Sequence, residues 1–222
     1  MRMRKKKHGA ERLAALDRYL VTPPDTPLED PNLLFGGGTG EVALEIGCGK
    51  GGFACGMAEA HPECRFLALE KVPDVMVIAL EQAEARREAR TADNLRFLIA
   101  NAADLTLWFA PHTLDALYLN FSDPWPKKKH TKRRLTYRAF LVMYASLLKP
   151  GAPLRFKTDN RALFDFTLGE LAALGVTPSF VTYDLHHSPK NEGNIRTEYE
   201  QNFSEKGFPI CALEAVLNGV AP

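Results

Sequence analysis

From Glu41 onward the sequence alternates short apolar runs with amphipathic stretches, and few architectures accommodate that alternation. An apolar run, an amphipathic helix and a second apolar run make a βαβ unit, whose strands lie parallel because the helix returns the chain to its starting edge. "EVALEIG" (41–47), "CRFLALE" (64–70), "LRFLIA" (95–100), "LDALYLNF" (114–121) and "APLRFKT" (152–158) are predicted strands. "FACGMAEA" (53–60), "VPDVMVIALEQAEARREAR" (72–90), "YRAFLVMYASLLKPG" (137–151) and "NRALFDFTLGELAALG" (160–175) are predicted helices; Pro150 and Gly151 stop the third of these. Two later stretches, "SFVTYDL" (179–185) and "RTEYEQNF" (196–203), alternate with period two and are expected to close the sheet as an antiparallel pair. Between them "HHSPKNEGNI" (186–195) is polar and expected to be mobile. The fold class is therefore α/β, a mainly parallel sheet with a C-terminal antiparallel hairpin. Residues 41–222 are expected to form one domain, after a basic arm and an extended lead-in, "VTPPDTPLEDP", within 1–40.

Composition narrows the class of protein. At 222 residues, 45% hydrophobic and 25% charged, the chain has the makeup of an ordinary globular domain. Its four cysteines (Cys48, Cys55, Cys64, Cys211) show neither CxxC spacing nor the density of a disulfide scaffold. They read as reduced thiols, and no metal is expected. The basic start "MRMRKKKHGA" is followed by charges and prolines where a secretory signal would be apolar, and no run approaches the ~18 apolar residues of a membrane span. A cytoplasmic protein is expected, either monomer or homodimer.

"LEIGCGKGGF" (44–53) places glycines between a strand and a helix, where backbone amides approach a ligand closely. The spacing satisfies GxGxxG, so a dinucleotide site has to be weighed against S-adenosylmethionine. Glu70 ends the second strand, ~20 residues past the glycines, where an acid accepts the ribose hydroxyls of either ligand. Glu45 separates the two. It lies two residues before Gly47 and brings negative charge toward the loop; a pyrophosphate is repelled, whereas a cationic amine and sulfonium are attracted. A solvent-facing strand position is the plainer reading of Glu45. Asn101, after the third strand, and Asp104 are candidates for the adenine edge or for caps of a helix beginning nearby.

The segment "NFSDPWPKKKHTKRRLTYRAF" (120–140) sets one acid against a block of cations. Asp123 follows the fourth predicted strand, at the carboxyl edge where α/β sheets bind ligands, and Pro124 and Pro126 stiffen the chain around it. From Asp123 to Arg138 the segment holds seven lysines and arginines, while the whole chain carries a formal net charge of only +1. A local excess of this kind fits a polyanion and supplies affinity that falls steeply with salt. The N-terminal group Arg2, Arg4, Lys5, Lys6 and Lys7 is a candidate extension of that track.

Taken together and in order, "MRMRKKKH", "LEIGCGKGGF", "LALEK", "NFSDPWPKKKHTKRRLT", "FKTDN" and "RTEYE" resemble the bacterial tRNA (guanine-N7)-methyltransferases of the TrmB type, over nearly the whole chain. The resemblance implies a Rossmann-like, seven-stranded class I methyltransferase fold. It further implies S-adenosylmethionine as donor and N7 of a guanine in the tRNA variable loop as acceptor. By matching positions it implies Glu45, Gly47, Gly49, Glu70, Asn101 and Asp123 as cofactor contacts, with Asp123 also the active-site acid. It implies Lys127, Asp159, Thr197, Glu198, Tyr199 and Glu200 as substrate positions, and Lys129, His130, Thr131, Lys132, Arg133 and Arg134 as the RNA-contacting stretch. From the residues alone, Asp159 reads equally as a helix cap, and Thr197, Glu198 and Glu200 as outward strand residues. An exocyclic-amine methyltransferase, a non-catalytic RNA-binding protein and, from the glycine turn alone, an NAD-linked reductase are the competing readings. "SDPWPKK" fits the first of them poorly, and Glu45 argues against the last.

Overall fold

A computed structural model describes residues 7–220; of the basic N-terminal group, Arg2, Arg4, Lys5 and Lys6 lie outside the described residues. Seven strands form a sheet in the order β3-β2-β1-β4-β5-β7-β6, and the chain divides into two compact units meeting in sequence at Ala110 and Pro111.

The first unit opens with α1 (Gly9–Ala14) and then alternates β1 (Val42–Ile46), α2 (Gly52–Ala60), β2 (Arg65–Glu70), α3 (Pro73–Ala85), β3 (Leu95–Ile99) and a single-turn α4 (Leu105–Trp108). β1, β2 and β3 are parallel, with Glu45 in register with Ala68 and Glu70 with Ile99. Every residue of β1 is buried, as expected of a strand covered on both faces. Leu44, Leu67, Met76, Leu80 and Phe97 form the centre of this unit's core. The lead-in is extended as expected, and it is tied down: Leu20 bridges to Phe97 and Leu28 to Phe109. Asn94 has no counterpart in the pattern-based reading. Its buried amide NH2 lies 2.8–3.0 Å from Ala58 O, His61 O and Cys64 O, sharing its two N–H donors among the three carbonyls, and so fixes the turn between α2 and β2.

The second unit contains β4 (Ala116–Asn120), α5 (Arg138–Leu147), β5 (Pro153–Thr158), α6 (Arg161–Ala173), β6 (Phe180–Thr182), α7 (Glu198–Ser204) and β7 (Cys211–Val216). β4 and β5 are parallel, and β7 runs antiparallel to both β5 and β6. The antiparallel closure is therefore present, but its second member is "CALEAV" (211–216). The stretch 196–203, expected as a strand, is mostly the helix α7. Local chemistry explains the difference: Thr197 accepts a hydrogen bond from the Glu200 N–H at 2.9 Å, so the Thr-x-x-Glu order acts as a helix start signal that overrides the period-two alternation. The segment 186–195 is also more organised than its composition implies. It contributes to two short 3-10 turns, and His186 and Asn194 bond to the buried carboxylate of Glu200. Among the described residues no helix is long and apolar enough to cross a membrane.

Asn94→Leu removes the two N–H donors that three carbonyls share while keeping the volume, and buried carbonyls left unpaired cost about 1–3 kcal/mol. A lower thermal midpoint is the expected outcome in a melting experiment, with an unchanged midpoint contradicting this role.

Candidate active site

In the first unit the chain leaves β1 through a turn built of glycine. Gly47 N–H and Cys48 N–H both donate to Leu69 O, at 2.7 and 2.9 Å, which folds the turn over the end of β2. Gly49 has φ of +56°, a torsion a side chain disfavours, and its N–H donates to Glu70 Oε2 at 3.2 Å. The other carboxylate oxygen of Glu70 accepts from Val72 N–H at 3.0 Å. Glu70 is thus held by main chain on both sides, and its remaining lone pairs stay available to ligand hydroxyls. Glu45 is 3% exposed, so the solvent-facing reading of that residue does not hold. Burial first, and then the negative charges of Glu45 and Glu70, push the Cys48 thiol well above its ordinary range. Burial is the larger cause of that shift, and the two acids add a smaller one by bringing negative charge to bear on the turn.

These features fit S-adenosylmethionine. A Cβ at Gly47 or Gly49 would meet nothing within 4 Å, so the turn leaves open a surface of bare backbone, whereas a Cβ at Gly51 would approach Ala79 Cβ to 3.0 Å. Gly51 is required for packing of α2 against α3, and the other two glycines leave space for a ligand. The negative field opposes a pyrophosphate and favours a sulfonium and an ammonium. Asn101 serves as the cap of a 3-10 turn, its Oδ1 accepting from Ala103 N–H at 3.1 Å. What it retains for an adenine edge is its NH2 and the second lone pair of Oδ1. Asp104 makes no side-chain cap bond.

In the second unit Asp123 is exposed on the loop after β4. Two bulky residues flank it in the left-handed region, Phe121 at φ of +51° and Trp125 at +41°. Such torsions cost on the order of 1–3 kcal/mol each and persist only where surrounding contacts enforce them. Phe121 N–H is held by Lys157 O at 2.9 Å. The Trp125 ring meets His130 edge-on at 5.5 Å and lies under the Arg133 guanidinium at 5.1 Å. Beyond the loop, residues 128–133 form a 3-10 helix along which Lys128, Lys129, Lys132 and Arg133 are exposed, as is Lys127 just before it. Thr131 Oγ1 donates to Lys128 O at 2.8 Å within that turn. Arg134 and Arg138 are differently placed. Arg134 donates to Pro124 O and Trp125 O, and Arg138 pairs with Glu170, whose carboxyl it holds below the usual carboxylate range.

Asp159 does not cap α6. Asn160 does, accepting from Leu163 N–H at 2.8 Å. Burial raises the Asp159 carboxyl above its ordinary value, against a hydrogen bond from Tyr199 that opposes the rise. Tyr199 is 45% exposed and stacks on Phe203 at 4.3 Å. Thr197 and Glu200 face inward, not outward: both oxygens of the fully buried Glu200 are engaged, Oε2 by Lys157 Nζ at 2.6 Å and Oε1 by His186 and Asn194 at 2.8 and 2.7 Å. Burial alone would raise this carboxyl, but the Lys157 charge and these donors together hold it below its ordinary value. Lys157, His186 and Asn194 escaped the sequence reading because nothing in their spacing marks them as partners of Glu200.

The strand order β3-β2-β1-β4-β5-β7-β6, with β7 antiparallel to both of its neighbours, and the fit of the glycine turn to a cationic methyl donor define an S-adenosylmethionine-dependent methyltransferase of Rossmann-like, class I fold. The crystal structure of the 16S rRNA methyltransferase KamB shares the fold, with a TM-score of 0.61 and 15% identity, over 88% of this chain and 96% of that one. The family described as "Putative methyltransferase" matches residues 39–213. A tRNA (guanine-N(7)-)-methyltransferase of Geobacillus sp. (strain WCH70) is 44% identical over 96% of this chain and 94% of its own length. One from Limosilactobacillus fermentum is 48% identical over 78% of this chain and 79% of its own. The chain belongs to the tRNA (guanine-N7-)-methyltransferase family.

Two measurements test this geometry. Glu200→Ala strands the Lys157 ammonium in a buried site, a change that costs about 3–5 kcal/mol, so a large fall in the denaturant midpoint is expected and an unchanged midpoint contradicts the pairing. For Asp159 the sign runs the other way. Its folded-state pKa lies above the unfolded value, so the group costs stability as pH rises through that interval. Asp159→Asn is expected to melt higher than the parent at neutral pH, with the gap closing as pH falls below the carboxylate range. A gap that widens on acidification contradicts the shift.

Proposed function

We propose that this chain transfers a methyl group from S-adenosylmethionine to N7 of a guanine in the variable loop of tRNA. The observation that carries the reading is the loop 121–127, where an exposed acid on a strained backbone is followed directly by a ridge of exposed cations. When bound, S-adenosylmethionine supplies an electrophilic methyl on a cationic sulfonium.

On the donor side, Glu45 provides attraction for positive charge, Glu70 accepts the ribose hydroxyls, and the Gly47 to Gly49 backbone admits the ligand closely. Asn101 meets the adenine edge. On the acceptor side, guanine N7 carries a lone pair and no proton, so no general base is obligatory and alignment dominates the rate. Asp123 is assigned as the acid that orients the reacting groups, and its negative charge favours the positive charge that the purine ring gains. Lys127, Lys128, Lys129, Lys132 and Arg133 neutralise backbone phosphates, and His130 and Thr131 shape the turn that presents them. Asp159 and Tyr199 are assigned to the flipped base, Tyr199 offering a ring for stacking. Thr197, Glu198 and Glu200 serve the same end through α7, Thr197 by capping it and Glu200 by anchoring it to Lys157. The reading implies residence with tRNA in the cytoplasm.

Asp123→Ala is expected to retain binding of S-adenosylhomocysteine in calorimetry and to lose most turnover, measured as 7-methylguanosine in digests of treated tRNA. Unchanged turnover removes Asp123 from the mechanism. Lys132→Glu with Arg133→Glu is expected to weaken tRNA binding and flatten its dependence on salt; a parental salt slope contradicts the phosphate ridge.

A further inference from the structure

Arg134 sits in the basic run, and by charge alone it belongs with the phosphate contacts. Its geometry sets it apart from its neighbours. Nε donates to Pro124 O at 2.9 Å and Nη2 to Trp125 O at 3.2 Å, while the guanidinium carbon lies 4.3 Å from the centroid of the Phe166 ring. Arg134 is half-buried where Lys127, Lys128, Lys129, Lys132 and Arg133 are exposed. The two carbonyls it holds belong to the residues directly after Asp123, and one of them belongs to Trp125, whose φ of +41° a bulky residue does not keep unaided. A planar guanidinium can reach two successive carbonyls and stack on a ring at once. A lysine ammonium, a point charge on a flexible stem, cannot.

We propose that Arg134 is a positioning residue: it locks the backbone at Pro124 and Trp125 in its strained turn, thereby fixing Asp123, and it is not a phosphate contact. The indole of Trp125 is also met by Arg133 and His130, so the loop is held through both its carbonyls and its side chain. The kinetic consequence rests on the methyl-transfer reading above; the structural one does not.

Two substitutions separate the roles, because Arg134→Lys keeps the charge and loses the fork, whereas Arg134→Gln loses the charge. The chain has two tryptophans, Trp108 and Trp125, so labelling with 5-fluorotryptophan gives two 19F resonances, one on the loop and one, the buried Trp108, as a folding control. In Arg134→Lys the Trp125 resonance is expected to shift or broaden while that of Trp108 stays. The kcat for tRNA methylation is expected to fall on the order of tenfold to a hundredfold, the scale of an ångström's misplacement, with KM for tRNA at its parental value. In Arg134→Gln the slope of log Kd against log salt is expected to match the parent. A parental Trp125 resonance in Arg134→Lys overturns the proposal, as does a moved resonance with parental kcat. A salt slope reduced by about one in Arg134→Gln makes the residue a phosphate contact and overturns it too. Should Arg134→Gln fail to fold, the resonances and kcat of Arg134→Lys decide the question. If the parent protein forms no 7-methylguanosine, the methyl-transfer reading fails, while the Trp125 resonance still decides what Arg134 holds.

Discussion

Two carboxylates bearing on a turn of bare backbone are the constraint from which the donor chemistry follows. Glu45 is buried within β1, and Glu70 is pinned by the N–H groups of Gly49 and Val72. The negative charge of Glu70 costs little to reorganise when a cation arrives, because the hydrogen bonds that orient it are made before binding. The same charge excludes the commoner occupants of glycine-rich turns, whose phosphates it repels. The Cys48 thiol within the turn is raised chiefly by burial and further by these two charges, since a thiolate there would be one more negative charge in a buried place.

The acceptor side solves a different problem. Its acid has to be exposed to meet a large substrate, and exposed loops are ordinarily soft. Here the loop is stiffened by torsions at Phe121 and Trp125 that no side chain adopts freely, and the contacts enforcing them come from Lys157, Arg134, Arg133 and His130. The basic run thus divides its labour. Some of its cations are exposed toward solvent, while Arg134 and Arg138 are turned to the protein's own carbonyls and to Glu170. Net charge along a segment overstates the charge available to a partner unless the internal pairs are known.

Much of this was legible in the sequence, and the exceptions have identifiable causes. The predicted parallel strands appear within a few residues of their expected ends, because buried apolar runs between glycine and proline punctuation admit few other structures. The stretch 196–203 misled because "RTEYEQNF" carries two patterns at once, period-two alternation and a Thr-x-x-Glu start, and the capping bond decided between them. The true final strand, 211–216, is an apolar run that pattern reading alone passed over. The Lys157, Glu200, His186 and Asn194 cluster was invisible for a different reason: its members are brought together by tertiary structure, and no local spacing encodes such a meeting. The acids Glu45 and Glu70 were found because each is tied to the glycine turn by a short and regular offset along the chain.

The central claim is that the nitrogen at position 7 of guanine is the atom that receives the methyl group. The most direct test compares two tRNA transcripts that differ only in carrying guanine or 7-deazaguanine at the modified position, each incubated with the protein and methyl-labelled S-adenosylmethionine. The account predicts label recovered as 7-methylguanosine from the first transcript and none from the second, although both bind with similar affinity. Equal labelling of the two transcripts would contradict it.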